Sequence, residues 1–547
     1  MTRNFTIGQY LLRRLADAGV HHVFGLPGDY ILRFYELLSR HGQVQHIGTT
    51  REDTAAFAAD GYARCRGLGA LAVTYGTGAL GVVNAVAGAY AESSPVVVIS
   101  GAPGVRERHE NPLLHHRFGP PARQREIFER ITCATAVLDD PLLALRQIDR
   151  VLQAARIHCK PVYIELPRDQ VDRRGGAIPD DPLALPASDA AALQEAVTET
   201  VEHVAKAADP VVLAGMEVHR RGLQDTLAQL IEHARLPVAA TLTGKSVIGE
   251  RHPAYLGIYE GAMGAEVARQ RVEASDLLLL LGVTLNDVDL GIFTARLDPT
   301  RMVRASQDEV VIRRRRYPQV YLYDFLPALA AALPRRQALP ARAVAEPGTE
   351  PFPVPGRPIT IARLIKRLDH ALTPDTIVVS DTGDCLCAAI ELRVYDRTKF
   401  LASAFYTATG FAVPAALGAQ VALPDRRVLI LVGDGAFQMT GTELTIHAAH
   451  GLDPIVIVFN NEGYNTERFL RDGPFNDISP WRFEHLCEVF GPLYGRTAGT
   501  EDEFEEALEQ ALATTDAPFI INVLLSRDDP SPAMRRLTEH LRKRIQG

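Results

Sequence analysis

Two apolar runs in the last third of the chain each end in a hard oxygen ligand. Val428–Val432 is strand-length and rich in β-branched residues, and it leads into Gly433-Asp434-Gly435. Ile455–Phe459 is a second such run, ending in Asn460-Asn461 and followed by Glu462-Gly463-Tyr464. Continuous apolar runs of this length read as buried parallel strands. The glycines allow a sharp turn and a close approach of backbone to ligand, and the spacing predicts a helix over Thr440–Ala449 between the strands. Asp and Asn at the ends of neighbouring strands suit a magnesium diphosphate. Mg²⁺ takes octahedral oxygen coordination and combines a few protein groups with phosphates, which themselves favour helix N-termini and free backbone N–H groups.

A second set of groups lies mostly in the first third. Asp29 sits in the turn Leu26-Pro27-Gly28-Asp29-Tyr30, Glu52 opens a run of small residues ending Ala59-Asp60-Gly61-Tyr62-Ala63, and His115-His116 follow Leu113-Leu114. Glu467 follows Tyr464 closely, with Thr466 before it. Each has a bland reading by itself: Asp in a turn, Glu favouring a helix macrodipole, histidines titrating on a surface.

Taken together they carry a resemblance. GDG followed after roughly thirty residues by NN-x-GY resembles the cofactor signature of thiamine diphosphate enzymes. Arg51–Ala63 resembles that family's E-x-x-A-x-x-A-A-D-G-Y-A segment. Asp29, the His115-His116 pair and Glu467 narrow the resemblance to the pyruvate, indolepyruvate and phenylpyruvate decarboxylases. It covers almost the whole chain, including Gly88–Glu92 and Pro95–Gly101.

The resemblance implies thiamine diphosphate and Mg²⁺ as cofactors. Asp434, Asn461 and the Gly463 carbonyl would hold the metal. Asp384, Thr407, Thr409, Gly433, Gly435, Ala436 and Tyr464 would also bind the cofactor. Glu52 would be the carboxyl partner of its pyrimidine; a buried Glu has a raised pKa and can donate a proton there, which promotes loss of the thiazolium C2 proton. The carbanion would attack a 2-oxo acid, CO₂ would leave, and the enamine would be protonated before an aldehyde departs. Asp29, His115, His116 and Glu467 would share those proton transfers. In the family Glu52, Asp29 and the histidines come from one subunit and the clamp and Glu467 from another, so a homodimer is the minimum and a homotetramer the fuller expectation. Leu386, Cys387, Thr409 and Thr466 stand where larger residues are common. A roomier pocket implies an aromatic or a branched or longer aliphatic 2-oxo acid rather than pyruvate.

The alternatives are a carboligase or lyase like acetolactate synthase or benzaldehyde lyase, or a nucleotide-binding or regulatory protein on a degenerate fold. The paired histidines, Glu467 and the lack of a clear flavin-specific central segment stand against the first. Intact Glu52, Asp434 and Asn461 stand against the second.

To position these groups the chain needs several doubly wound sheets. Helical patterns at Ile7–Ala18, Asp53–Arg66 and Gly78–Tyr90 alternate with strands at Ala70–Tyr75, Val96–Ser100 and Val162–Leu166, which implies a parallel sheet with ligands at strand carboxyl ends. Similar series follow twice. At 547 residues the chain predicts three α/β domains of Rossmann-like, thiamine diphosphate-binding type: 1–180 for the pyrimidine, 189–335 central, and 357–547 for the diphosphate and metal. Ile178–Ser188 and Pro334–Pro358 read as linkers. The central unit shows no dense set of acids or histidines at strand ends, which suggests a structural or regulatory job. Arg313–Arg316 reads as a solvated basic face.

A net charge of −8 does not advertise nucleic-acid binding. Six cysteines without a CxxC pattern fit a reducing cytoplasm. Met1–Gln9 lacks the apolar core of a signal peptide, and Leu277–Val283 is far too short to span a bilayer.

Overall fold

The computed structural model describes residues 5–110, 112–176, 184–336, 350–395 and 399–546. Much of both expected linkers, 178–183 of the first and 337–349 of the second, lies outside the described residues. The chain divides into two compact units. One is Met1–Pro186 with Tyr406–Arg426 and Met439–Leu452; the other is Ala187–Phe405 with Arg427–Gln438 and Asp453–Gly547.

The first unit is built on β1 (His22–Gly25), β2 (Gln45–Gly48), β3 (Gly69–Val73), β4 (Val96–Ala102), β5 (Ala134–Val137) and β6 (Val162–Pro167). They form one sheet in the order β2-β1-β3-β4-β6-β5, every pair parallel. β3, β4 and β6 are buried along their whole length, as apolar runs covered on both faces must be. The helices Ile7–Asp17 and Pro141–His158 pack on one face of this core.

The Glu52–Arg66 helix is made of small residues because a second helix, Ala412–Ala422, lies against its backbone. A Cβ on Gly61 would stand 2.1 Å from the Ala415 carbonyl oxygen, and one on Gly418 1.8 Å from that of Ala58. Farther along the same helix, Arg64 is buried between the Asp60 and Glu92 carboxylates, its Nε 2.7 Å from Asp60. A buried cation is tolerated only when paired in this way.

The second unit holds two sheets. In the central one, β7 (Pro210–Ala214), β8 (Val238–Thr241), β9 (Tyr255–Tyr259), β10 (Leu277–Leu281) and β11 (Met302–Ala305) are parallel, and the hairpin β12 (Glu309–Ile312) and β13 (Arg315–Pro318) extends the edge antiparallel. The basic run lies at this hairpin, where Arg316 pairs with Glu309 and Arg315 with Glu195 and Glu199. The loops of this sheet hold two buried acids. Glu260, directly after β9, and Asp289, in the loop after β10, are both buried, and Asn286 donates its side-chain N–H to Asp289 at 2.8 Å. Burial and then the neighbouring Asp289 charge push the Glu260 carboxyl well above its ordinary range. The two acids are separated in sequence and approach because the loop after β10 reaches the end of β9, where the Ala262 N–H donates to the Thr294 hydroxyl at 2.8 Å.

The last sheet comprises β14 (Thr376–Ser380), β15 (Lys399–Ala402), β16 (Arg427–Gly433), β17 (Ile455–Asn460), β18 (Tyr494–Ala498) and β19 (Phe519–Leu524). Its order, β15-β14-β16-β17-β19-β18, repeats that of the first: second strand, first, third, fourth, sixth, fifth. The fold is thus three doubly wound α/β sheets, the central one mixed at its edge.

Two helices differ from expectation. The stretch Gly78–Tyr90 is two helices, Thr77–Gly81 and Val83–Ala91, with the break at Val82. The helix expected at Thr440 starts at Asp434, and Leu444–Ala449 is separate from it.

The helix crossing yields a stability prediction. Gly61→Ala or Gly418→Ala forces backbone apart and costs about 2 kcal/mol or more. Urea unfolding should register this as an earlier midpoint; a midpoint equal to that of the parent protein would refute the close-packing account.

Candidate active site

Asp434 sits where β16 becomes a helix, one residue beyond the Gly433–Phe459 register with β17. Its Oδ1 accepts the Gly435 N–H at 2.7 Å, and its Oδ2 accepts those of Asn461 and Gly463 at 3.1 Å each. Burial drives its carboxyl up to about 6, against the pull of these N–H donors. Gly463 has φ 150°, a conformation that favours glycine, and a Cβ there would stand 2.1 Å from the Asn476 carbonyl oxygen. Gly435 lies beneath Tyr464, whose ring would be 2.7 Å from an added Cβ. A Cβ at Gly433 would meet open space. Asn461 and Ala436 are buried.

The structure also singles out Asn465, which sequence reasoning missed. Its side chain is buried with both amide atoms unpartnered, a costly state without a ligand. An uncompensated buried carboxylate, an adjacent buried Asn and an orphaned amide form an oxygen-rich donor set that fits a hard cation carrying an anionic group. Asp384 begins a short helix after β14 and accepts the Ser531 N–H at 3.1 Å; burial pushes it up to about 6 as well.

Thr466 is half-buried and Glu467 exposed, both on the helix Asn465–Leu470. Leu386 is buried and Cys387 half-buried on the helix that Asp384 begins. They pack into the apolar core that includes Ala402 and Ala404 and reaches the central sheet, because apolar side chains on a helix between two sheets are drawn into the layer.

In the first unit, the loop after β1 carries Asp29. His115 Nε2 lies 2.7 Å from Asp29 Oδ2, and His116 Nε2 lies 3.9 Å from Oδ1. His116 has φ 63°, and its carbonyl oxygen would stand 2.2 Å from a Cβ on Gly76. Gly76 is thus what lets the histidine loop settle on the end of β3. Glu52 is half-buried in the single chain rather than fully buried, and it faces two glycines: Cβ atoms on Gly78 and Gly81 would lie 3.6 and 3.7 Å from its carboxylate oxygens. Nearby, the buried Glu443 accepts the Thr50 hydroxyl at 2.6 Å. It lies inside the stretch expected as a helix, among Thr440, Thr442, Thr445 and His447, where an acid carries no signal of its own. Thr407, at φ 55°, and Thr409 also belong to this unit. For a β-branched residue that backbone conformation is strained.

The raised Asp434 carboxyl predicts a pH-dependent stability in the cofactor-free protein. The folded state binds the proton more tightly than the unfolded one, so this stabilisation is present below about pH 4 and lost as pH rises through about 6. Asp434→Asn should therefore gain on the parent by about 2 kcal/mol between pH 4.5 and 7.5. Parallel urea-unfolding curves at the two pH values would contradict the assignment.

Three family models match the chain: the N-terminal TPP binding domain of thiamine pyrophosphate enzymes over residues 5–127, the central domain over 197–333 and the C-terminal TPP binding domain over 381–523. The indole-3-pyruvate decarboxylase of Azospirillum brasilense is 37% identical over 97% of this chain and 98% of its own length. Alpha-keto-acid decarboxylases of Mycolicibacterium paratuberculosis and Mycobacterium avium are 35% and 36% identical, each over 96% of this chain and 94% of their own. With its parallel sheets, its buried Asp434 clamp and these full-length matches, the chain belongs to the thiamine pyrophosphate-dependent 2-oxo acid decarboxylase family.

Proposed function

We propose that the protein converts a 2-oxo acid larger than pyruvate, aromatic or branched or longer aliphatic, to an aldehyde and CO₂ without oxidation. The observation that carries this reading is the Asp29–His115–His116 cluster, whose ligand atoms all lie within 4.8 Å of one another in a chain of this family. A cofactor clamp serves many reactions; a carboxylate hydrogen-bonded to imidazole serves proton delivery at a reacting carbon or oxygen.

Asp434, Asn461 and the Gly463 carbonyl would hold Mg²⁺, and Gly433, Gly435, Ala436, Tyr464 and Asp384 would seat the diphosphate end of the cofactor. Thr407 and Thr409 would support its ring system. When bound, thiamine diphosphate supplies the carbon nucleophile and the electron sink that decarboxylation requires. Glu52 is the carboxyl that exchanges a proton with the cofactor's pyrimidine, and the glycines it faces leave room for a ring. His115 carries a proton on its imidazole between Asp29 and the reacting group, His116 shapes the loop beside it, and Glu467 offers a second carboxylate. Leu386, Cys387, Thr409 and Thr466 are the candidates for a roomy pocket, and the name of the Azospirillum relative favours an aromatic side chain.

The domain roles follow the same division: 1–180 for the pyrimidine, 357–547 for diphosphate and metal, 189–335 between them. The protein works as a homodimer at least, and as a dimer of dimers in the fuller reading. Leu113, two residues from His115, is 92% exposed, and Leu470, three from Glu467, is 83% exposed. Apolar side chains left in water beside proposed catalytic groups suit an interface between copies. Among the described residues no helix is long and apolar enough to cross a membrane, and the six free cysteines suit a cytoplasmic enzyme.

Purified protein given thiamine diphosphate and Mg²⁺ and assayed for aldehyde across a 2-oxo acid panel tests this. Phenylpyruvate, indolepyruvate or 2-oxoisocaproate should exceed pyruvate in kcat/KM by about tenfold or more. A preference for pyruvate would refute the pocket reading, and aldehyde from none of them would refute the function.

A further inference from the structure

The Asp29–His115 pair has a neighbour that the proposed chemistry does not use. Arg168 follows directly after β6, and its backbone N–H donates to Ala102 at the end of β4 at 3.0 Å. Its guanidinium is held on two sides. Glu107 takes Nε at 3.1 Å and Nη2 in a bidentate pair, and the same carboxylate accepts the Gly104 N–H at 2.7 Å. The guanidinium also lies over the Tyr30 ring, 5.0 Å from its centre. Tyr30 is buried, and its ring is also 5.0 Å from that of His115. With two guanidinium nitrogens fixed by Glu107, the third, Nη1, stands 4.0 Å from Asp29 Oδ2, the oxygen that faces His115 Nε2.

We propose that Arg168 is a positioning residue of the Asp29–His115 pair: it fixes a positive charge beside the Asp29 carboxylate and keeps that carboxylate turned to His115, so that the imidazole is held in one orientation for proton transfer. The inference rests on the reading of Asp29 and His115 as proton-transfer groups. Arginine suits the task because its planar fork can bind one carboxylate bidentately and still present a donor to another. The charged and titratable groups facing the pair are His116, Arg168 and Tyr30. Glu107 stands behind Arg168, and Tyr75 packs edge-on to Tyr30. Arg168 is the one fixed cation among those groups, so its removal has a definite sign: protons on the pair become easier to hold.

The test compares Arg168→Met, which keeps the stem and removes the charge, with Arg168→Lys, which keeps a charge. In Arg168→Met, kcat should fall about tenfold and the acid limb of the kcat/KM profile should move to higher pH by about half a unit. Arg168→Lys should recover part of both. A readout independent of turnover is the pH dependence of diethylpyrocarbonate modification at His115, read by mass spectrometry; its midpoint should move the same way. If the parent decarboxylates a 2-oxo acid and Arg168→Met matches it in kcat, acid limb and His115 midpoint, the proposal is overturned. An equal loss in both variants with an unmoved acid limb and His115 midpoint would also overturn it, marking a structural role only. If the parent decarboxylates nothing, the proposed function falls, and the His115 midpoint still decides whether Arg168 governs the pair.

Discussion

A carboxylate buried without a counter-cation is the constraint on which the clamp depends. Asp434 is nearly inaccessible, and its described hydrogen-bond partners are backbone N–H groups of its own turn and of the β17 loop. Desolvation of a charge is expensive, and N–H dipoles offset only part of it. The arrangement is stable in its ionised form only if something positive arrives. The N–H donors require β16 and β17 to be adjacent and in register, and the loop that supplies them requires Gly463 at a φ that disfavours side chains.

The same geometry explains why a chain would repeat one winding twice. In each outer sheet the order places the first and third strands side by side with their crossovers running opposite ways, which opens a crevice at their carboxyl ends. In the last sheet that point lies between β14 and β16, and the loops leaving it carry Asp384 and Asp434. In the first sheet it lies between β1 and β3. There the loops leaving it pack together, Gly28 approaching Thr74 so closely that a Cβ would stand 2.4 Å from the Thr74 Cβ, and Asp29 follows immediately. Glu52 is set by different means: a helix with five alanines and Gly61, pressed backbone-to-backbone against Ala412–Ala422.

What could be read from the sequence was whatever is local. Strands such as Val96–Ala102 and Ile455–Asn460 are continuous apolar runs, and Asp434 and Asn461 declare themselves by glycines at strand ends. Groups defined by contacts distant in the chain could not be read. Arg168 is one basic residue after a strand until the sheet sets it beside Asp29. Asn465 is an ordinary polar residue until it is buried without a partner. Glu260 and Asp289 become neighbours only because the loop after β10 reaches the end of β9. The helix start at Asp434 was placed too late because a glycine on either side of Asp reads as a turn, whereas the aspartate's own carboxylate caps the turn it begins.

The account stands most directly on Asp434 being completed by a cation that arrives with the cofactor. Calorimetric titration with thiamine diphosphate and Mg²⁺, in buffers of different ionisation enthalpy, counts the protons released on binding. After subtraction of the ligand's own protonation change, binding at pH 5.5 should release most of one proton and binding at pH 7.5 almost none, because a carboxyl held near pH 6 must ionise to accept the metal. Proton release that is the same at both pH values would contradict it.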